Sequence, residues 1–374
     1  MTPAAQTLLD CACAGVHSRQ ADPANTAFED ADWAAIERLA SRHGISPLMV
    51  RALPEPYAMR FRDAERARTK WSLRLTGELF RLLDLLERHA IPALPFKGPA
   101  LAYALYGDVA MRESCDLDVL VPGECLLDVK RAMLAAGYTT DLPADAGREA
   151  AYLRARYELH YTSPDGAIPI EMHQAFMAPS YCLPFDYDAL WKRLERQPLC
   201  GREVRALGAG DLLRMLCAHG AKHAWAELSA LCDIARLLVV DGDRIPWPAL
   251  LAQARVMGAS RILLLGLSLA AHLLQAPVPA DVLAQARADR ALVRLAGQVR
   301  AALFQESESE GGLRFFLRTR ERFRDQLACC ARLALQPNEE DYACLPLPAL
   351  LSPLYYPLHA ARVAGKFGFV YIFK

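Results

Sequence analysis

Apolar positions along the chain follow two different periods, and the change between them divides it into three stretches. Up to about residue 90 the period is helical. Asp32-Trp-Ala-Ala-Ile-Glu-Arg-Leu-Ala40 has helical spacing and stops near Gly44, and a long amphipathic stretch from Tyr57 to His89 carries Leu79, Leu82, Leu83 and Leu86 as its apolar stripe. From about 91 to 195 strand signals dominate. Ile91-Pro-Ala-Leu-Pro-Phe96 reads as a short strand, Pro99–Tyr106 as a helix, Arg112–Val121 as a strand with its lead-in, and Glu124–Ala136 as a helix ended by Gly137. The runs Tyr157–Thr162 and Ile168–His173 flank Ser163-Pro-Asp-Gly166, a strong turn signal, and predict a hairpin. From about 208 the helical period returns. Asp211 is placed to cap the first of these helices, Pro246-Trp247-Pro248 marks a break, and Ile262–Ala271 reads as a buried helix. Ser307-Glu-Ser-Glu-Gly-Gly312 reads as a mobile surface loop, and no internal repeat is visible. The pattern predicts an α+β protein: a helical region over 1–90, a strand-containing core over 91–195, and a helical domain over 196–374.

Composition narrows the class. A chain of 374 residues with 53% hydrophobic content can bury a substantial core in two or three domains. Its formal net charge is zero, so no broad nucleic-acid surface is expected. The longest apolar run is too short to cross a bilayer. Eleven cysteines, none in a C-x-x-C pair, argue against a zinc ribbon. Their odd number, with no cationic-then-apolar leader at the N-terminus, predicts reduced thiols in the cytoplasm.

The chemistry concentrates in Arg112-Glu-Ser-Cys-Asp116-Leu-Asp118-Val-Leu-Val121. On a strand, Asp116 and Asp118 share a face while Leu117, Val119 and Val121 face the core. Two like charges side by side are unfavourable unless a cation lies between them, and an oxygen-ligand site of this kind suits Mg²⁺, with Mn²⁺ as its substitute. A strand-side D-x-D can also be a pair of solvated acids, so the surroundings matter. Upstream, the short strand ends in Lys97-Gly98 and a helix follows at once, an arrangement that offers backbone N–H groups and a positive dipole end to a phosphate. Downstream, Glu171 shares a face with His173 on the second arm of the hairpin and would complete a three-carboxylate site.

Together these residues resemble the nucleotidyltransferase superfamily that shares the DNA polymerase β catalytic core, and more closely a bacterial group described as uncharacterised nucleotidyltransferases. The resemblance rests on Phe96-Lys97-Gly98-Pro-Ala-Leu, on the D-x-D run, on Ile170-Glu171-Met-His173, and on Asp211-Leu-Leu, His219-x-x-x-His223-x-Trp225 and Leu231-Cys-Asp233 further on. It spans about residues 70 to 275. It implies a small mixed sheet with helices, flanked by helical regions. It also implies transfer of a nucleoside monophosphate from an NTP to an acceptor hydroxyl, with Asp116, Asp118 and Glu171 as metal and catalytic residues. The wider superfamily has Gly-Ser or Gly-Gly where this chain has Gly98-Pro99, so the usual serine hydroxyl is missing and Ser114 is the nearby substitute.

Four further residues are candidates for the nucleotide side. Arg112 either neutralises triphosphate charge or braces its loop through Asp108. His219 and His223, at i and i+4 on one helix face, lack the third ligand a metal would need, and the resemblance places their helix over the nucleotide site. Lys97 offers a point charge. Asp233 is expected in a helix–helix hydrogen bond, and Trp225 and Trp247 in packing. The acceptor favoured by the resemblance is a peptide or glycan hydroxyl. The competing expectations are a nucleotide-binding module that has lost catalysis, and a toxin-like transferase acting on tRNA or protein.

Overall fold

The computed structural model describes residues 2–22, 28–29, 31–141, 156–305, 312–337, 341, 347 and 349–372. The predicted loop over 307–312 lies almost entirely outside them.

At the centre is a five-stranded mixed sheet ordered β1-β2-β5-β4-β3, comprising β1 (Leu94–Pro95), β2 (Leu117–Leu120), β3 (Thr139–Thr140), β4 (Glu158–Thr162) and β5 (Pro169–His173). β2 and β5 run parallel at its centre; every other pairing is antiparallel. The β4–β5 hairpin forms where the Ser163–Gly166 turn predicts it, with Asp165 Oδ1 accepting from Ser163 Oγ and from the Ala167 N–H. Of the expected 91–96 strand only Leu94 and Pro95 pair, because the segment runs at the sheet's edge before turning into the next helix. A separate hairpin joins Glu195–Leu199 to Arg202–Ala206.

Within β2 and β5 the pleat sorts the side chains as expected, but Asp116, expected to share a strand face with Asp118, lies just before β2. Leu117, Val119, Val121, Leu159, Ile170 and Met172 are buried on one face, in a core that also holds Leu75, Leu79, Leu82 and Leu86 of the Arg62–Arg88 helix and Val129 and Met133 of the Leu126–Ala135 helix. This fixes the other face, bearing Asp118, Glu171 and His173, for chemistry.

A second core joins the helices Pro3–Val16, Trp33–Arg42 and Ser46–Ala52 to the later helices Ala209–Lys222, Leu228–Asp241 and Ser260–Leu274. The apolar run 262–271 is buried here, as predicted. Asp211 is not the cap of its helix. Gly208 occupies that position, and Asp211 sits in the first turn, held in ion pairs with Arg193 (2.5 Å) and Arg214. The break at 246–248 holds, since Pro246 starts the Trp247–Val256 helix. Trp225 is fully buried and Trp247 packs against the same core.

Candidate active site

Parallel pairing of β2 and β5 sets Asp118 directly beside Glu171, and Leu120 beside His173. Among the described residues, Asp118, Glu171 and His173 bring ligand-capable atoms within 4.8 Å of one another. Lys97 Nζ donates to Asp118 Oδ1 at 2.9 Å, and His173 Nε2 faces the same oxygen at 3.0 Å and Glu171 Oε2 at 3.3 Å. Across the hairpin, Glu158 Oε2 lies 3.5 Å from His173 Nδ1. The ring of Phe96 backs the imidazole edge-on at 5.1 Å.

Burial and neighbours pull these groups apart in acidity. Burial alone would raise Asp118, but Lys97 and His173 outweigh it and hold the carboxyl well below its ordinary range. Burial opposes the charge on His173, yet its contacts with Asp118 and Glu171 raise its pKa. Asp116, half-buried at the lead-in to β2, is pushed up to about 6, first by burial and then by the charges of Asp118 and Glu171. It lies close enough to feel those charges but outside the group of converging ligand atoms.

The Lys97-Gly98 step behaves as its sequence suggests. Gly98 has φ +57°, a conformation a side chain disfavours, and it opens the Gly98–Tyr106 helix with no side-chain cap on the N-terminus. That end of the helix is therefore left for an anion, next to the carboxylates.

Arg112 braces its loop, but not through Asp108. Its Nε donates to the buried Asp233 at 2.9 Å and its Nη1 to Ser114 Oγ at 3.1 Å. Asp233 thus ties the Leu228–Asp241 helix to the loop before β2 rather than to another helix, and Asp108 instead accepts from the Ala110 N–H. Ser114 also accepts from Trp71 Nε1 through its carbonyl, at 3.0 Å. Both residues are engaged in holding the Asp116 loop.

His219 and His223 stand edge to face, 4.7 Å apart. With Lys97, Arg112, Lys222 and Asp233 they line a cavity of about 360 Å³, large enough for a small ligand. Burial, then Lys97, His223 and Lys222, push His219 well down; burial, then Lys222 and Lys97, push His223 down to about 4. Both imidazoles are therefore neutral at pH 7, and the positive charge on this wall belongs to Lys97, Lys222 and Arg112, the last paired with Asp233. Lys222 Nζ donates to Tyr157 Oη at 3.1 Å.

Sequence reasoning gave no role to His173, Glu158 or Lys222. The first carried a usable signal, standing at i+2 from Glu171 on one strand face. The other two become neighbours only through the β4–β5 register and the approach of the Ala209–Lys222 helix.

The donor set tests well against a divalent cation. Asp118 and Glu171 supply hard oxygens within 4.8 Å of each other, and Asp116 adds a third carboxylate nearby. His173 Nε2 faces both acids, a position from which it can orient Asp118 and Glu171 or join them as a ligand. Lys97 links the acids to the cavity, since it lines the cavity and donates to Asp118 beside the uncapped helix N-terminus. The chain belongs to the family described as uncharacterised nucleotidyltransferase, whose model matches residues 29–275. No curated protein and no solved structure matches it. No helix among the described residues is long and apolar enough to cross a membrane.

Proposed function

We propose that this protein transfers a nucleoside monophosphate from an NTP to an acceptor hydroxyl, with release of pyrophosphate. The observation carrying this reading is the side-by-side register of Asp118 and Glu171 on adjacent parallel strands, with Lys97 and an uncapped helix N-terminus alongside. In this reading a polymerase β-like core occupies 91–195, with helical regions over 1–90 and 196–374, and the protein works in the cytoplasm.

Asp116, Asp118 and Glu171 would hold Mg²⁺ or Mn²⁺, which supplies Lewis-acid charge for the triphosphate and acidifies the acceptor hydroxyl. Lys97 moves from Asp118 to the phosphates and, with Lys222, neutralises their charge. The N–H groups of Gly98 and Ala100 donate to phosphate oxygens. Neutral His219 and His223 suit the uncharged ribose and base, so they act by hydrogen bonding rather than by charge. Glu171, more exposed than Asp118, is the group to take the acceptor's proton. His173 holds Asp118 and Glu171 in place, while Arg112, Ser114 and Asp233 keep the Asp116 loop rigid. A peptide or glycan hydroxyl is the acceptor we favour.

A second reading, a nucleotide-binding module without turnover, draws support from Lys97 and His173, which together satisfy Asp118 without a metal ion. Incubation with cell extract and α- or γ-labelled NTPs separates the two. Transfer requires label from the α position only, lost in an Asp116→Asn/Asp118→Asn double variant. Label from the γ position would make the protein a kinase, and no label with any NTP under Mg²⁺ or Mn²⁺ would favour the module.

A further inference from the structure

A second cavity, of about 450 Å³, lies between residues 175–187 and the start of the Phe323–Leu335 helix. Met177, Leu183, Phe185 and Met257 form an apolar wall, and Arg320, Arg322, Arg324 and Arg332 form the other side, with Asp325 the one carboxylate in the lining. Three of the arginines are positioned by carbonyls, and Arg324 lies 3.6 Å from Asp325. Arg320, 1% exposed, donates through Nη2 to Met257 O at 3.1 Å and Cys182 O at 3.3 Å and pairs with Asp325 at 3.2 Å, while its Nε and Nη1 have no partner. Arg322 donates to Val256 O at 3.2 Å and to Arg255 O, and Arg332 to Pro179 O at 3.0 Å. Carbonyls fix a guanidinium's direction but do not cancel its charge, so four cations face a single anion. The Phe323–Leu335 helix also begins here without a side-chain cap. The aromatic chain Phe96, Phe176, Phe185 separates this cavity from His173. The arginines lie beyond the residues 29–275 that match the family.

We propose that this cavity is a second anion site, taking a phosphate monoester or diphosphate group attached to an apolar or weakly polar body. Several guanidinium forks offer more donors than the two oxygens of a carboxylate can accept, whereas a terminal phosphate presents three oxygens and up to two charges. A small cleft in a chain of zero net charge does not suit a nucleic-acid backbone. The apolar wall accommodates whatever carries the phosphate. That body is either a soluble metabolite or a lipid, and exposed Phe323 and Leu327 on the same helix keep the lipid source in view. The proposal does not depend on nucleotidyl transfer.

Cys182 lines this cavity, whereas exposed Cys115 adjoins Asp116, so the two thiols report on the two sites separately. The full chain in EDTA is alkylated with N-ethylmaleimide, and each cysteine peptide is quantified with and without inorganic phosphate, pyrophosphate or glycerol 3-phosphate. These probes should slow labelling of Cys182 and leave Cys115 unchanged. Calorimetry with the same probes is the second measurement and decides the matter if Cys182 proves inert. Each guanidinium removed should weaken binding about tenfold, in Arg322→Ala/Arg332→Ala and in the exposed Arg324→Glu, which is chosen to leave folding intact. Competition by phosphatidylcholine vesicles containing phosphatidate, with flotation of the protein, identifies a lipid source; protection by the soluble probes alone identifies a metabolite. Neither protection nor heat with any probe, or equal binding in the variants, overturns the proposal.

Discussion

Asp118→Asn separates what the carboxylate does for the fold from what it does for a ligand. In the metal-free protein Asp118 is almost fully buried and accepts from Lys97 at 2.9 Å, with the His173 imidazole at 3.0 Å. Asparagine keeps the shape and an acceptor but removes the charge, leaving the half-buried Lys97 ammonium without its counter-ion. Breaking a buried pair from one side costs about 3–5 kcal/mol, and the retained acceptor argues for the lower end. With an unfolding entropy of about 2 cal/mol/K per residue, a cost of about 3 kcal/mol lowers Tm by about 4 °C in a chain of this length. In EDTA, differential scanning calorimetry should show that drop. Adding Mg²⁺ and NTP at about a hundredfold excess over Kd should return about 2.7 kcal/mol to the wild type and nothing to the variant. A variant as stable as wild type in EDTA would refute the ion-pair reasoning. A variant that Mg²⁺ and NTP still stabilise would remove Asp118 from the ligand set.

Two other expectations follow from positions of different kinds. Gly98→Ala forces a side chain into φ +57° and should cost about 1–2 kcal/mol, read as a lowered urea midpoint, with weaker NTP binding because the helix N-terminus shifts; unchanged stability would contradict the backbone assignment. His43 is fully buried, its pKa lowered to about 4 by burial and by Arg42, so between pH 6.5 and 4 the unfolded chain binds the extra proton and stability falls as pH falls, by on the order of 3 kcal/mol over that window. Tm measured from pH 7 to 4 should decline less steeply in His43→Gln, and parallel curves would refute this.

Much of the site was legible because it is local. The alternation Asp118-Val119-Leu120-Val121, the hairpin turn at 163–166 and the Lys97-Gly98 step each reveal their geometry within a few residues, through the pleat, turn chemistry and a positive φ. Period assigns a face, however, and not a partner. It placed Glu171 and His173 together but could not say that β5 pairs in parallel with β2. Nor could it show that Asp233, on a helix far along the chain, would take Arg112 in place of the neighbouring Asp108. Asp211 misled for a related reason: an acid near a helix start can serve as a cap or as an ion-pair member, and Arg193 and Arg214 settle which. The helices before residue 60 share a core with helices beyond 208, a long-range partnership that hydrophobic spacing does not encode.

The parallel register of β2 and β5 also has a kinetic consequence. Asp118 and His173 stand 55 positions apart, and a parallel pair cannot close through a tight turn, so the chain must pass an entropic barrier of about 3–4 kcal/mol before the contact returns anything. Helices and the β4–β5 hairpin can form earlier from nearby residues. Folding intermediates with helices formed but β2 and β5 unpaired would therefore be blind to metal. If the proposed metal site exists, recovery of metal binding during refolding would time the pairing of β2 with β5, and helical signal recovered beforehand would say nothing about whether the site has formed.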